Sequence, residues 1–270
     1  MFRVPFTALR PHLAVFLFLF AGNLLAPLAG SAASSSPPLL RVRPVAPDIF
    51  VPTLYSRPNG AALPVATNGL IIRTTKGILL IDTAWPTEQT RLLLRWVADS
   101  LHQRVRLAIV THAGAATPGG LVVLRENHVR VYSSPLTARR WRSRNPAAEG
   151  PTAALKPYTV VRAGRTRVEL FFPGAGFAPD NLVVWLPRRK VLFGGELVRE
   201  QATASLGSSP EPNLKQWSIV LRTLAARYRN ARVVVPAHGP AGSLTLLAHT
   251  QTLLREATRR KPQTALNGRP

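Results

Sequence analysis

Cysteine is absent from the 270 residues, which excludes disulfides, a lipid-attachment thiol and a cysteine nucleophile. Without cross-links, an exported chain has only its packed core to hold it together. Acidic residues are scarce: 12 Asp plus Glu face 35 Lys plus Arg, for a formal net charge of +23, and only five of the basic residues are Lys. Such an excess admits an anionic partner such as nucleic acid, lipid headgroups or an acidic polymer. The basic residues are spread along the whole chain, however, and no RNA-binding motif or aromatic-interleaved basic run accompanies them. An Arg-rich surface without a dedicated partner is the simpler reading, with binding to acidic polymers as a lesser alternative. Ser-His-Asp arrangements and glycine-rich phosphate loops are also missing.

What is present is apolar residue in quantity, 46% of the chain, enough for a sizeable core. Near the N-terminus, Arg3 and Arg10 precede an apolar stretch over residues 13–25, and Ala29, Gly30, Ser31, Ala32 and Ala33 follow it. That order is the pattern of a cleavable signal peptide. Asn23 and Pro27 interrupt the stretch, short of the about 20 apolar residues a spanning helix needs. The expectation is a signal peptide over 1–33, a linker over 34–47, one folded domain over 48–258 and a disordered basic tail over 259–270. The mature protein is then periplasmic or secreted, without a membrane span, and monomeric.

Within the domain, strand-like and helix-like segments alternate. The runs 69–73 and 78–81 flank Lys76-Gly77 and predict a hairpin. Thr87 is expected to cap a helix carrying Leu92, Leu93, Trp96, Val97 and Leu101 on one side. A buried strand over 105–110, a glycine-rich loop and a short helix follow. The second half repeats the logic, with strands over 166–172, 182–186, 191–193 and 233–235, a helix capped by Asn213, and a last helix opened by Ser243. Sheets in both halves, each with helices, predict an α/β sandwich with helices outside two packed sheets.

Seven short segments then point to one family. Asn68-Gly69-Leu70, Leu80-Ile81-Asp82-Thr83, Thr111-His112, Gly119-Gly120, Pro179-Asp180-Asn181, Phe193-Gly194-Gly195 and Val235-Pro236-Ala237-His238-Gly239 stand in this order. In order and spacing the chain resembles the secreted zinc metallo-β-lactamases of subclass B1, over nearly the whole domain. The resemblance implies an αββα sandwich with a metal-binding groove along one edge of the sheets. It also implies hydrolysis of β-lactams by a zinc-bound hydroxide.

The family's ligand positions are largely altered. Its His-x-His-x-Asp loop reads His112-Ala113-Gly114-Ala115-Ala116 here, so Gly114 and Ala116 replace two ligands. Phe177 stands where the family has a third His, and Glu196 where it has a ligating Cys. His112 and His238 remain, one from each metal site. His112, Glu196 and His238 could bind one zinc as a His₂Glu set, but the tolerance on ligand distances is narrow, so zinc is expected to be weakly held or absent. The resemblance assigns Arg199 and Ser208 to substrate binding, and makes Asp82, Gly119, Gly120, Asp180 and Asn181 structural. The resulting expectation is a nearly inactive relative whose groove binds a small anionic ligand such as a β-lactam. The alternative is an active hydrolase that uses one metal.

Overall fold

The structure, a computed structural model, describes residues 39–56 and 65–260. The expected signal peptide lies outside the described residues, as does the expected tail beyond Arg260. The N-terminal half contains β1 (Leu40–Ala46), β2 (Ile49–Ser56), β3 (Val65–Asn68), β4 (Leu70–Thr74), β5 (Gly77–Ile81), β6 (Val105–Ile109), β7 (Arg130–Ser133) and β8 (Thr152–Ala153). Helices α1 (Thr87–Leu101), α2 (Pro118–Glu126) and α3 (Pro135–Arg144) belong to it, with a 3₁₀ turn at Ala113–Ala115. The C-terminal half contains β9 (Tyr158–Ala163), β10 (Thr166–Phe171), β11 (Val183–Leu186), β12 (Val191–Gly195) and β13 (Val233–Pro236), with α4 (Leu214–Arg227) and α5 (Thr245–Arg260).

The first sheet runs β1-β2-β4-β5-β6-β7-β8, with β3 paired to β2; the second runs β13-β12-β11-β10-β9. Strand periodicity explains why the two sheets stack. Successive side chains point to opposite faces, and β5, β11 and β12 are apolar at every position, as strands covered on both faces must be. Leu70, Ile72, Leu79, Ile81, Leu107 and Ile109 meet Leu170, Val184, Leu186, Val191 and Phe193 between the sheets. The intervening Ile71, Ile78, Leu80 and Ala108 face outward to Leu93 and Val97 of α1, Leu121 and Leu124 of α2, and Trp141 of α3. On the other side, Val183, Trp185, Leu192 and Val234 pack on Trp217, Val220, Leu221 and Leu224 of α4 and on Leu246, Leu247 and Leu254 of α5. The result is the expected αββα sandwich.

Three expectations need correction. Residues 40–46 are not linker but β1, antiparallel to β2 with Leu40 opposite Leu54 and Val42 opposite Pro52. Leu40 and Val42 pack on the helix-side core while Arg41 is exposed, so a two-residue alternation lies hidden among arginines and prolines. Thr87 is the first residue of α1 rather than its cap; Pro86 holds the cap position without a side-chain hydrogen bond. The last helix continues to Arg260, two residues past the expected domain end. Asn213 does cap α4, its Oδ1 accepting from the Gln216 amide at 3.0 Å.

Candidate functional site

β5 and β6 run parallel, as do β12 and β13. The loops that leave their C-terminal ends carry Asp82, His112, Glu196 and His238, the position where sheets of this kind present functional groups. Asn68 ties the two sheets together there. Its amide donates to the Ala237 carbonyl at 2.7 Å, and its Nδ2 donates to the Pro236 and Gly239 carbonyls at 3.0 and 2.7 Å. Its Oδ1 accepts from Thr53 Oγ1 at 2.7 Å.

Two buried carboxylates hold the loop that begins at His112. Asp82 accepts from the Thr111 amide at 2.8 Å and from Thr111 Oγ1 at 2.5 Å. Burial pushes the Asp82 carboxyl up to about 6, against the opposing charge of His112 and the Thr111 hydrogen bonds. Asp180 accepts from the Ala113 amide at 2.8 Å, and neighbouring Asn181 accepts from the Ala178 amide at 2.7 Å. Gly119 and Gly120 begin α2 against the 84–87 segment; a β-carbon on Gly120 would collide with the carbonyl of Trp85. Ala116 is buried, and its carbonyl accepts from Trp141 Nε1 at 3.0 Å. The His112 ring folds over Gly114, where a β-carbon would lie 3.0 Å from Nε2.

Glu196 is the electrostatic centre. Its side chain is 11% exposed. One oxygen lies 3.0 Å from His238 Nε2 and the other accepts from Arg199 Nη1 at 3.1 Å. Burial alone would raise its pKa. The His238 hydrogen bond and the charges of His238, His112 and Arg199 outweigh that and hold the carboxyl at about 2. The other nitrogen of His238, Nδ1, lies 2.7 Å from the Ala66 carbonyl oxygen. Both ring nitrogens therefore face oxygens, an arrangement that favours the doubly protonated imidazolium. Burial opposes that charge, but the Glu196 hydrogen bond and charge overcome it and raise the His238 pKa above its ordinary value.

Arg199 points inward. It is buried, with its guanidinium 4.7 Å from the Phe177 ring and 5.6 Å from the Trp217 ring. Its backbone amide donates to Thr250 Oγ1 at 2.9 Å. Phe177 meets Trp217 edge-on at 5.9 Å, and its carbonyl accepts from Ser209 Oγ. Beside these groups opens a groove of about 560 Å³, whose lining includes His112, Gly114, Phe177, Glu196 and Ser208 together with Arg140, Arg144 and Glu211. Arg140 reaches Glu211 at 2.6 Å and Asp180 at 3.6 Å. Arg144 has no ion-pair partner among the described residues.

No family model matches the chain. Curated relatives do. A metallo-β-lactamase type 2 from Bacillus sp. strain 170 is 37% identical over 208 residues, covering 77% of this chain and 79% of that protein. Another from Bacillus cereus is 36% identical over 208 residues, covering 77% and 80%. The chain belongs to the metallo-β-lactamase family. Solved structures agree: a metallo-β-lactamase from Pontibacter korlensis superposes with a TM-score of 0.74 at 36% identity, covering 80% of this chain and 99% of that one. A Pseudomonas aeruginosa metallo-β-lactamase in a mono-zinc form also scores 0.74, at 27% identity, covering 81% and 96%.

Seen as a metallo-β-lactamase, the chain brings Glu196 and His238 into contact and places His112 and Glu196 on one groove. Among the described residues, no group of three or more His, Cys, Asp or Glu side chains gathers in a metal-holding arrangement. The chemistry of the donors also fits zinc poorly. Zinc binds a neutral imidazole nitrogen and an available carboxylate. Here Nε2 of His238 is engaged by one Glu196 oxygen, and Arg199 engages the other. Ser208 lines the groove, and Arg199 is buried beside Glu196, Phe177 and Trp217. The sequence reading missed Arg140 and Arg144, although their i, i+4 spacing puts them on one face of a helix. It also missed Asn68 as the clasp between the sheets.

Proposed function

We propose that this protein is a metallo-β-lactamase-family scaffold that binds a small anionic ligand in its groove without zinc-dependent turnover. The observation that carries the reading is the His238–Glu196–Arg199 chain, in which a carboxylate at a zinc-ligand position is neutralised by two protein cations. No metal-activated hydroxide then forms in the groove, and none of its remaining side chains is a strong nucleophile near neutral pH. Arg140 and Arg144 support the anionic preference, since guanidinium groups pair with carboxylates in two-pronged fashion. The basic, apolar, small-residue order of the N-terminus supports export to the periplasm or beyond. Among the described residues no helix is long and apolar enough to cross a membrane.

A one-metal hydrolase is the second reading, favoured by His112 and Glu196 lining the same groove. Hydrolysis of a penicillin, a cephalosporin and a carbapenem, followed by absorbance with and without added Zn²⁺, separates the two. The proposal expects rates at the uncatalysed background in every case. Turnover abolished by EDTA and by His112→Ala would establish the second reading instead.

A further inference from the structure

A second concavity lies at the opposite end of the sandwich, where β5, β6 and β12 begin rather than end. It encloses about 620 Å³ between the β4–β5, β9–β10 and β11–β12 turns. Five arginines line it, Arg73, Arg165, Arg167, Arg188 and Arg189, against a single acidic lining residue, Asp48.

The charges there do not balance. Asp48 is divided between Arg73 Nη2 at 2.7 Å and Arg189 Nη2 at 2.8 Å. Arg167 pairs with Glu169 at 2.8 Å. Arg165 and Arg188, exposed at the tips of two hairpins, have no carboxylate partner among the described residues. Five guanidinium groups thus face two carboxylates, and the two unpaired ones stand on neighbouring turns above the hollow. Arg188 Nη1 lies only 3.5 Å from the Arg165 carbonyl oxygen, so the two tips are close in space. Thr75 and Thr166 add hydroxyls to the same wall.

Planar guanidinium forks match pairs of phosphate oxygens. One phosphate group is compact enough to meet about two such forks, whereas cations distributed over three turns suit a ligand with several linked phosphates. The enclosed volume lies in the range of small-molecule sites, about 300–1,000 Å³, and a concave wall of turns does not follow the convex backbone of a duplex. We propose that this pocket binds a compact oligophosphate, independently of the groove at the other end.

The test is calorimetric titration of the full chain with sodium tripolyphosphate and, separately, with orthophosphate. Two doubly substituted variants lose equal charge: Arg165→Ala with Arg188→Ala in the pocket, and Arg222→Ala with Arg255→Ala on the exposed surface of α4 and α5. All four arginines are exposed, and circular dichroism checks that both variants fold. The expected result is saturable binding of one tripolyphosphate per chain, weakened about tenfold or more in the pocket variant and less than about twofold in the surface variant. Orthophosphate is expected to bind at least about tenfold more weakly than tripolyphosphate. Co-sedimentation with phosphatidylcholine vesicles containing cardiolipin distinguishes a free oligophosphate from a lipid headgroup. Vesicle binding lost only in the pocket variant assigns the site to a headgroup, and tripolyphosphate binding without vesicle binding assigns it to a free ligand. Equal weakening in both variants, or no saturable tripolyphosphate binding together with unchanged vesicle binding, would overturn the proposal.

Discussion

Replacing Glu196 with Gln keeps the side-chain shape and removes the anion between His238 and Arg199. Two routes give the size of the effect. The carboxyl sits at about 2 in the fold against an ordinary value of 4.5, a gap equivalent to roughly 3 kcal/mol of stabilisation at neutral pH. Independently, removing one partner of a buried ion pair destabilises by about 3–5 kcal/mol, because the other charge stays buried and unpaired. Arg199, with a side chain 7% exposed, is in that position. For a domain of this size, about 3 kcal/mol lowers the melting temperature by about 6–12 °C. The pH dependence gives the sharper test. A depressed carboxyl pKa stabilises above the unfolded value and loses its effect as pH falls toward the folded value. The gap between parent and variant should therefore be largest between about pH 5 and the raised His238 value, shrink toward about pH 2, and shrink again as His238 loses its proton at higher pH. Asp82 titrates with the opposite sign, since its folded value of about 6 exceeds the ordinary 3.8. The Glu196 charge is the last of the causes of that rise, so Asp82 titrates somewhat lower in the variant and its contribution cancels only in part. Urea unfolding followed by tryptophan fluorescence across this range measures the gap. A variant as stable as the parent at pH 7, or a gap independent of pH, would refute the charge network.

The same network predicts that His238 titrates above the ordinary histidine value in the parent and falls in Glu196→Gln, as read by NMR of the imidazole protons; an unchanged value would contradict it. Asn68→Ala removes three side-chain hydrogen bonds at a buried position. Because the backbone amide bond survives, a loss of about 2–3 kcal/mol is expected by denaturant unfolding, and a loss below about 0.5 kcal/mol would deny Asn68 its role as a clasp. Gly114→His, Ala116→Asp, Phe177→His and Glu196→Cys together should raise zinc retention to at least one ion per chain, while the zinc-free variant melts below the parent because Arg199 loses its partner. A quadruple variant that folds but retains no zinc would show that the backbone of the groove has diverged as well.

Elements with strong local patterns were legible in the sequence. The β4–β5 hairpin follows from two β-branched runs around Lys76-Gly77, and α4 from Asn213 and its apolar face. The opening strands were not, because Leu40 and Val42 alternate with arginines and prolines that read as linker. Helix α3 was missed as well: Pro135–Arg144 carries four arginines and few apolar residues, and its place comes from Trp141 buried against the His112 loop. The altered ligand positions were visible residue by residue. Their new partners were not, since Arg199 is set by Phe177 and Trp217, and Glu196 by a histidine 42 residues away. Such contacts exist only once β13 lies beside β12 and α4 packs on that sheet.

Zinc stoichiometry bears most directly on the central claim, that a protein charge network occupies a position where the family binds metal. The purified chain is incubated with excess Zn²⁺, desalted and assayed by elemental analysis alongside His238→Ala. With Nε2 of His238 hydrogen-bonded to Glu196 and both Glu196 oxygens engaged, well under one zinc per chain should remain in either protein. One or more zinc ions held tightly by the parent and lost from His238→Ala would mean that the metal displaces the network, and the account would be wrong.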